Sequence, residues 1–324
     1  MKVIIPVAGV GTRLRPHTYS TPKPLLYVAG KPVLDHVLEP IVKLEPKEII
    51  FVVGYLGDQI KEYVENNFSF KARFVHQKEL LGLGFAVDLA LREVNSGPVM
   101  VVLGDTIVKC DLKQFVNSGD YVLGLMPVDD PKRFGIAEIR DNRVVSLVEK
   151  PENPRSNLAI IGLYYFNDAL NLKEALRILV KSGKKTRGEI QLTDAMEAMI
   201  MDGVAFAPFE VDQWLDCGKK ETLLDTNRRL LHETGNSPRI EGSLVVPPVY
   251  IDPNAKITNS VIGPYVSIAK DTKIDNSIIK SSIIGENTSI ENTVLDNSLV
   301  GDAVTIRGDK KSLNISGASE VDFT

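Results

Sequence analysis

Gly9, Gly11, Arg13 and Lys23 fall within the opening stretch MKVIIPVAGVGTRLRPHTYSTPKPLL. Glycines at 9 and 11 let backbone N–H groups close on an anion and make a tight turn. Arg13 offers a planar, always charged fork suited to phosphate oxygens. Lys23 is a compact charge, and Pro22 and Pro24 limit the backbone around it. The chemistry these residues suit is phosphate binding. A plainer reading stays open for each: a surface arginine in a loop, a solvated lysine. Two common phosphate loops do not fit. A dinucleotide fingerprint needs a third glycine at position 14, which is Leu14. A Walker loop needs Gly-Lys-Ser/Thr, and Gly30-Lys31 is followed by Pro32.

The elements that must hold these residues follow from the pattern around them. VIIPV (3–7) reads as a buried strand. Helical spacing over 32–44 leads to EIIFVVG (48–54), a second buried strand. LGDQIKEYVENNF is an amphipathic helix, ARFVHQ (72–77) a strand, GFAVDLALREV (84–94) a helix and PVMVVLGD (98–105) a strand. Such alternation predicts a parallel sheet with helices on its faces, whose ligands sit at the carboxyl ends of the strands. AGVGTR and Gly104-Asp105 both fall there, although Gly-Asp is also an ordinary turn pair. From 120 to 166 strands dominate, as a mixed extension of the sheet or a small second one. Helical patterns return at 168–181, 189–202 and 219–233.

Beyond about 238 the period changes. Ile251, Ile257, Ile262, Ile268, Ile274, Ile279, Ile284, Ile290, Leu295, Val300 and Ile306 are five or six residues apart, with small and polar residues between. Every third aliphatic recurs after 16 or 17 residues. This period suits a triangular parallel β-helix, in which each aliphatic points inward and three complete a coil. Ordinary short strands joined by turns are the alternative.

The chain has 324 residues, 44% of them hydrophobic and 25% charged, enough for one large or two ordinary domains. A net charge of −4 argues against a general nucleic-acid binder. Cys110 and Cys217 are too few for a disulfide framework. The opening apolar run is too short for a signal peptide, and no window reaches the ~18 apolar residues of a membrane span. These features read as a cytoplasmic protein with no membrane or nucleic-acid partner.

Seven blocks, in order, resemble the sugar-1-phosphate nucleotidyltransferases, also called NDP-sugar pyrophosphorylases. They are G-x-G-T-R-L-x-P with the later P-K-P, LGD (103–105), RFGIAEI (133–139), VEKP (148–151), AIIGLYYF (159–166), GEIQLTDAM (188–196) and WLDCG (214–218). The closest branches are the glucose-1-phosphate thymidylyl- and uridylyltransferases with a C-terminal β-helix. The resemblance implies an α/β fold: a Rossmann-like nucleotidyltransferase domain (1–236) with a mixed, mainly parallel sheet, then a left-handed parallel β-helix of hexapeptide type (237–324). It implies attack by a sugar-1-phosphate on the α-phosphate of an NTP, giving an NDP-sugar and pyrophosphate.

Roles carried over by the resemblance are as follows. Ala8, Gly9, Gly11, Thr12, Arg13, Gln77, Gly82 and Asp105 bind the nucleotide, with Gln77 and Gly82 at the base. Gly135, Glu149, Lys150, Gly162, Arg187 and Asp216 serve the sugar phosphate. Asp105 and Asp216 hold Mg²⁺, and Arg13, Lys23, Asp105 and Lys150 carry the catalysis. A phosphate monoester is already anionic near neutral pH, so no general base is needed. Plainer readings of the same residues are a solvated basic loop for Arg187, a surface amide for Gln77, an exposed strand residue for Glu149 and a small apolar residue for Cys217.

Uracil and thymine differ by one methyl, which leaves UTP and dTTP both open. GTP with mannose-1-phosphate, or UTP with N-acetylglucosamine-1-phosphate, is the alternative pair. A catalytically silent sensor on the same fold is a different class, and it should have lost Arg13, Lys23 or an aspartate. No histidine lies beyond residue 238 to serve an acyltransferase, so the β-helix is expected to assemble copies into a homo-oligomer.

Overall fold

In the computed structural model the structure describes residues 1–308. Two compact units emerge among them, one of 1–26 with 31–226, the other of 27–30 with the described residues from 227 on.

The first unit is built on a mixed sheet. In chain order its elements are β1 (Lys2–Pro6), α1 (Val33–Val42), β2 (Glu48–Val53), α2 (Gly57–Asn67), β3 (Ala72–His76), α3 (Leu83–Leu91) and β4 (Val99–Val102). There follow β5 (Thr106–Lys109), α4 (Leu112–Val116), β6 (Tyr121–Pro127), β7 (Gly135–Arg140), β8 (Arg143–Glu149) and β9 (Leu158–Phe166). Last come α5 (Ala169–Ser182), α6 (Leu192–Met201), β10 (Ala207–Glu210) and β11 (Gln213–Asp216). The main path runs β8-β7-β9-β4-β1-β2-β3, with β6 beside β9 and β10 beside β6. Pairs among β4, β1, β2 and β3 are parallel, whereas β9 runs antiparallel to β4, β6 and β7. The strands from 121 to 166 therefore extend the one sheet.

Val3, Ile4 and Ile5 of β1 and Ile49 to Val52 of β2 are wholly buried, which explains their continuous apolar runs. α3, α5 and α6 share a core with these strands through Val87, Leu91, Leu172, Leu176 and Met196. A sheet sealed in this way leaves the strand ends as the place for polar residues, and the glycine loop leaves β1 at such an end.

The short ribbon β5–β11 stands apart from the main sheet, and its pairing sets Asp216 opposite Thr106. Its strands are four residues each, with only Trp214, Leu215, Ile107 and Val108 as apolar content. That is too little pattern to separate from loop in the sequence.

The second unit holds the left-handed parallel β-helix. Three four-stranded parallel sheets stack coil on coil, with Ile257 facing Ile274 and Ile274 facing Ile290. The interior is Val249, Ile251, Ile257, Ile262, Val266, Ile268, Ile274, Ile279, Ile284, Ile290 and Val300, with Leu295 and Ile306 half-buried against it. Asn259, Asn276 and Asn292 take the left-handed backbone at one corner, a conformation asparagine accepts readily. The helix Lys220–Thr234 contributes Asn227 to this unit. Its buried amide accepts from the Ala29 N–H and the Ser267 hydroxyl and donates to the Tyr265 carbonyl.

Candidate active site

The loop after β1 opens into a cavity of about 520 Å³, lined by residues 6–13, Lys23, Gln77, Gly82, Asp105 and Gly218, among others. The two loop glycines do different work. Gly9 has open space where a side chain would be, with nothing within 4 Å. Gly11 sits at φ +63, and a Cβ there would lie 2.9 Å from Thr18 Cγ2. The Thr18 hydroxyl donates to the Gly11 carbonyl and fixes the turn. Gly9 thus presents bare backbone to the cavity, while Gly11 permits the turn that does so.

Lys23 starts a single helical turn capped by the conformation of Pro22. Its side chain is only 8% exposed, and Nζ lies 2.5 Å from Asp105 Oδ2. Asp105 enters from between β4 and β5 and remains 40% exposed toward the cavity. The β5–β11 pairing brings Asp216 alongside, one register position from Asp105. Asp216 accepts the Gly218 N–H at 2.8 Å. A Cβ at Gly218 would lie 2.7 Å from Asp216 Oδ1 and 3.0 Å from Arg13 Nη2. Arg13, Lys23 and Asp105 thus line the cavity from three separate segments, and Asp216 adjoins them through Gly218, which itself lines the cavity.

Cys217 sits between Asp216 and Gly218 but is no nucleophile. Burial is the main reason its thiol is pushed up to about 12, so it stays neutral.

Gln77 follows β3 and is buried, and its amide donates to the Glu79 carbonyl at 3.0 Å. Gly82 precedes α3 at φ +109, and a Cβ there would strike the Ile190 carbonyl at 2.7 Å. Both border the cavity, together with Leu80, Leu83 and Glu189, which the sequence reading did not single out.

A second constellation lies at the exit of β8. Glu149 accepts from the Thr193 hydroxyl at 2.8 Å and pairs with Lys150 at 3.2 Å. Lys150 and Arg187 both adopt left-handed backbone, at φ +45 and +56. The Lys150 N–H donates to the Phe134 carbonyl, and Arg187 donates to the Lys150 carbonyl. A non-glycine residue held there is usually over-determined by its neighbours, and Lys150 is held on both sides. A Cβ at Gly135 would lie 3.0 Å from Glu149 Oε2 and 3.1 Å from Thr193 Oγ1. Gly162, at φ +85, instead makes room for Leu103, whose N–H it accepts. Its glycine is thus explained by packing beside the Leu103-Gly104-Asp105 turn.

Thr193 lies inside the GEIQLTDAM block but carried no role on sequence grounds. Its partner Glu149 is 44 residues away, a pairing that only the fold shows.

A profile of the nucleotidyl transferase family matches residues 2–233. The chain belongs to this family. Among relatives of this nucleotidyl transferase is the low-salt glycan biosynthesis nucleotidyltransferase Agl11 of Haloferax volcanii, 35% identical over 72% of this chain and 67% of its own length. The bifunctional protein GlmU of Methanocaldococcus jannaschii is 34% identical over 76% of this chain, but the match spans only 59% of that protein. A glucose-1-phosphate thymidylyltransferase of Streptomyces antibioticus is 32% identical over 80% of this chain and 75% of its own. The fold is shared with a crystal structure of UDP-glucose pyrophosphorylase complexed with UDP-glucose, at TM-score 0.63, 23% identity, and 72% and 98% coverage of the two chains. The family resemblance seen in the seven sequence blocks is borne out. Among the described residues of this nucleotidyl transferase, no helix is long and apolar enough to cross a membrane.

Proposed function

We propose that this nucleotidyl transferase moves a nucleotidyl group from dTTP or UTP to a sugar-1-phosphate, with glucose-1-phosphate favoured, and releases pyrophosphate. The observation that carries the reading is the gathering of Arg13, Lys23 and Asp105 at the loop that offers bare backbone at Gly9, with Asp216 adjoining them through Gly218. In the reaction an oxygen of the sugar phosphate forms a bond to the α-phosphorus as the bond to the β-phosphate oxygen breaks. Loop N–H groups and the Arg13 fork bind the departing pyrophosphate and absorb its charge. Lys23 neutralises charge at the α-phosphate. Lys150, with Arg187, holds the incoming phosphate, and Glu149 accepts hydrogen bonds from sugar hydroxyls. Gln77 and the Gly82 backbone face the pyrimidine edge, to which an amide offers both a donor and an acceptor.

Asp105 and Asp216 suit Mg²⁺, which takes one or two carboxylates and completes its shell with phosphate oxygens and water. Among the described residues no group of three or more acidic, histidine or cysteine side chains could hold an ion alone. This donor set fits an ion that arrives with the nucleotide. When bound, Mg²⁺ would neutralise phosphate charge. A cytoplasmic location accords with the free cysteines Cys110 and Cys217.

Assembly of copies through the β-helix belongs to the same reading. Leu244, Val261, Ile278 and Val294 stand in register on one outer face, and Leu244 and Val294 are 59% and 71% exposed.

The test is pyrophosphate release with Mg²⁺ and a matrix of UTP, dTTP, GTP, ATP and CTP against glucose-1-phosphate, N-acetylglucosamine-1-phosphate and mannose-1-phosphate. Release with a pyrimidine nucleotide and glucose-1-phosphate is expected. No release from any pair would leave the silent-sensor reading in its place.

A further inference from the structure

Glu149 ought to face away from the sheet's inner side. Val144 of β8 is buried, and strict alternation from it would point Ser146 and Val148 inward and Leu147 and Glu149 outward. Val145, 41% exposed, obeys this alternation, but beyond it the structure shows the opposite: Leu147 is 3% exposed, Val148 is 43% exposed, and the Glu149 side chain is 9% exposed.

The cause is a bulge. Val144 pairs with Ile139 and Ser146 with Glu138, which leaves Val145 without a partner on β7. One extra residue reverses the face of everything after it. The bulge is therefore what delivers Glu149 to Thr193 and Gly135, and Lys150 to the turn beyond.

A bulge on the last strand of a sheet path leaves N–H groups exposed on the outer edge, where slippage back to regular pairing is cheap. Here that edge is closed. The Val144 N–H donates to the Phe206 carbonyl at 3.0 Å. The Leu147 N–H donates to Glu197 Oε2 at 2.6 Å, and the Ser146 hydroxyl donates to Glu197 Oε1 at 3.2 Å. Glu197 lies on α6 one helical turn beyond Thr193, so both side chains face β8. One grips the bulge and the other grips Glu149.

We propose that Glu197 is a positioning residue for the sugar-phosphate site: its carboxylate locks the β8 bulge and so fixes which face Glu149 and Lys150 present. This rests on the sugar-1-phosphate reading given above. A charged acceptor on a backbone N–H makes one of the stronger hydrogen bonds, and removing it takes that bond from the Leu147 N–H.

The test compares Glu197→Leu with Glu197→Gln in the full chain. Gln keeps an acceptor for the Leu147 N–H, and Leu does not. Two readouts are taken: hydrogen exchange over 143–150, and separate KM values for the nucleotide and for the sugar phosphate in pyrophosphate release. Glu197→Leu should speed exchange at Leu147 and raise the sugar-phosphate KM by about ten-fold or more, with the nucleotide KM changed by less than about two-fold. Glu197→Gln should stay near wild type in both. Unchanged exchange in Glu197→Leu, or an equal rise of both KM values, would overturn the proposal. If the wild-type protein itself turned over no pair, the functional reading would fail, and exchange at Leu147 would then decide the bulge lock alone.

Discussion

Lys23 Nζ lies 2.5 Å from Asp105 Oδ2, although 82 residues separate the two. The pair is lopsided, since the lysine side chain is 8% exposed and the aspartate 40%. Removing the carboxylate strands a buried cation, whereas removing the lysine leaves a carboxylate that water can reach. Asp105→Ala should therefore lower stability more than Lys23→Ala, by roughly 1–3 kcal/mol. Thermal or denaturant unfolding of the two variants checks the order. Equal losses would mean that the pair is not buried as the structure has it.

Gly9 and Gly11 separate ligand approach from turn formation. Gly9→Ala has room for its methyl, so its melting temperature should match wild type while its nucleotide KM rises by about ten-fold or more. Gly11→Ala places a Cβ 2.9 Å from Thr18 at a positive φ, and should lower the melting temperature by several degrees. Melting curves and nucleotide titrations on both variants give the comparison. A stable Gly11→Ala or an unfolded Gly9→Ala would reverse the assignment.

Much of this was legible in the chain. The continuous apolar runs at Val3–Ile5 and Ile49–Val52 already read as buried strands, and the 16- or 17-residue return of Ile251, Ile268, Ile284 and Val300 already favours a stacked coil over separate short strands. Less legible were the features that depend on partners distant in sequence. The β5–β11 ribbon is two four-residue strands whose pairing is what sets Asp216 beside Asp105. The bulge at Val145 has no local signature, because Arg-Val-Val-Ser-Leu-Val-Glu alternates poorly in either register. Its acceptor, Glu197, looks in the sequence like any solvated helix residue. Gly162 stands beside a sugar motif by resemblance, yet the contact that requires glycine is Leu103.

Glu48 makes an acid-stability prediction. Burial alone would raise its carboxyl, but hydrogen bonds from Lys2, Arg73 and Lys71 outweigh that and bring it down to about 2. A carboxyl held low in the fold stabilises it above its unfolded value near 4.5, and the contribution fades as pH falls from there toward about 2. Glu48→Gln should be less stable than wild type at pH 7, and the gap should narrow as the pH falls below about 4.5. Denaturant unfolding at pH 7 and pH 3 measures it. A gap that stayed constant would remove Glu48 as the titrating group.

The outer ladder of the β-helix makes a prediction about assembly. Truncation is a poor tool here, because residues 27–30 group with the second unit. Val294→Lys and Ile278→Glu change the ladder while leaving the inward aliphatics intact. Sedimentation of the double variant should show a smaller species than wild type, with turnover retained. An unchanged oligomer would place the contact elsewhere.

The central claim is that Asp105 and Asp216, with Arg13 and Lys23, form one phosphate-handling centre. Pyrophosphate release by Asp105→Asn, with Mg²⁺ and the nucleotide and sugar-1-phosphate pair that works best for the wild type, tests it most directly. The carboxamide keeps the size and an acceptor for Lys23, so the fold should persist, while turnover should fall by at least about a thousand-fold. A folded Asp105→Asn protein that turns over at the wild-type rate would contradict the account.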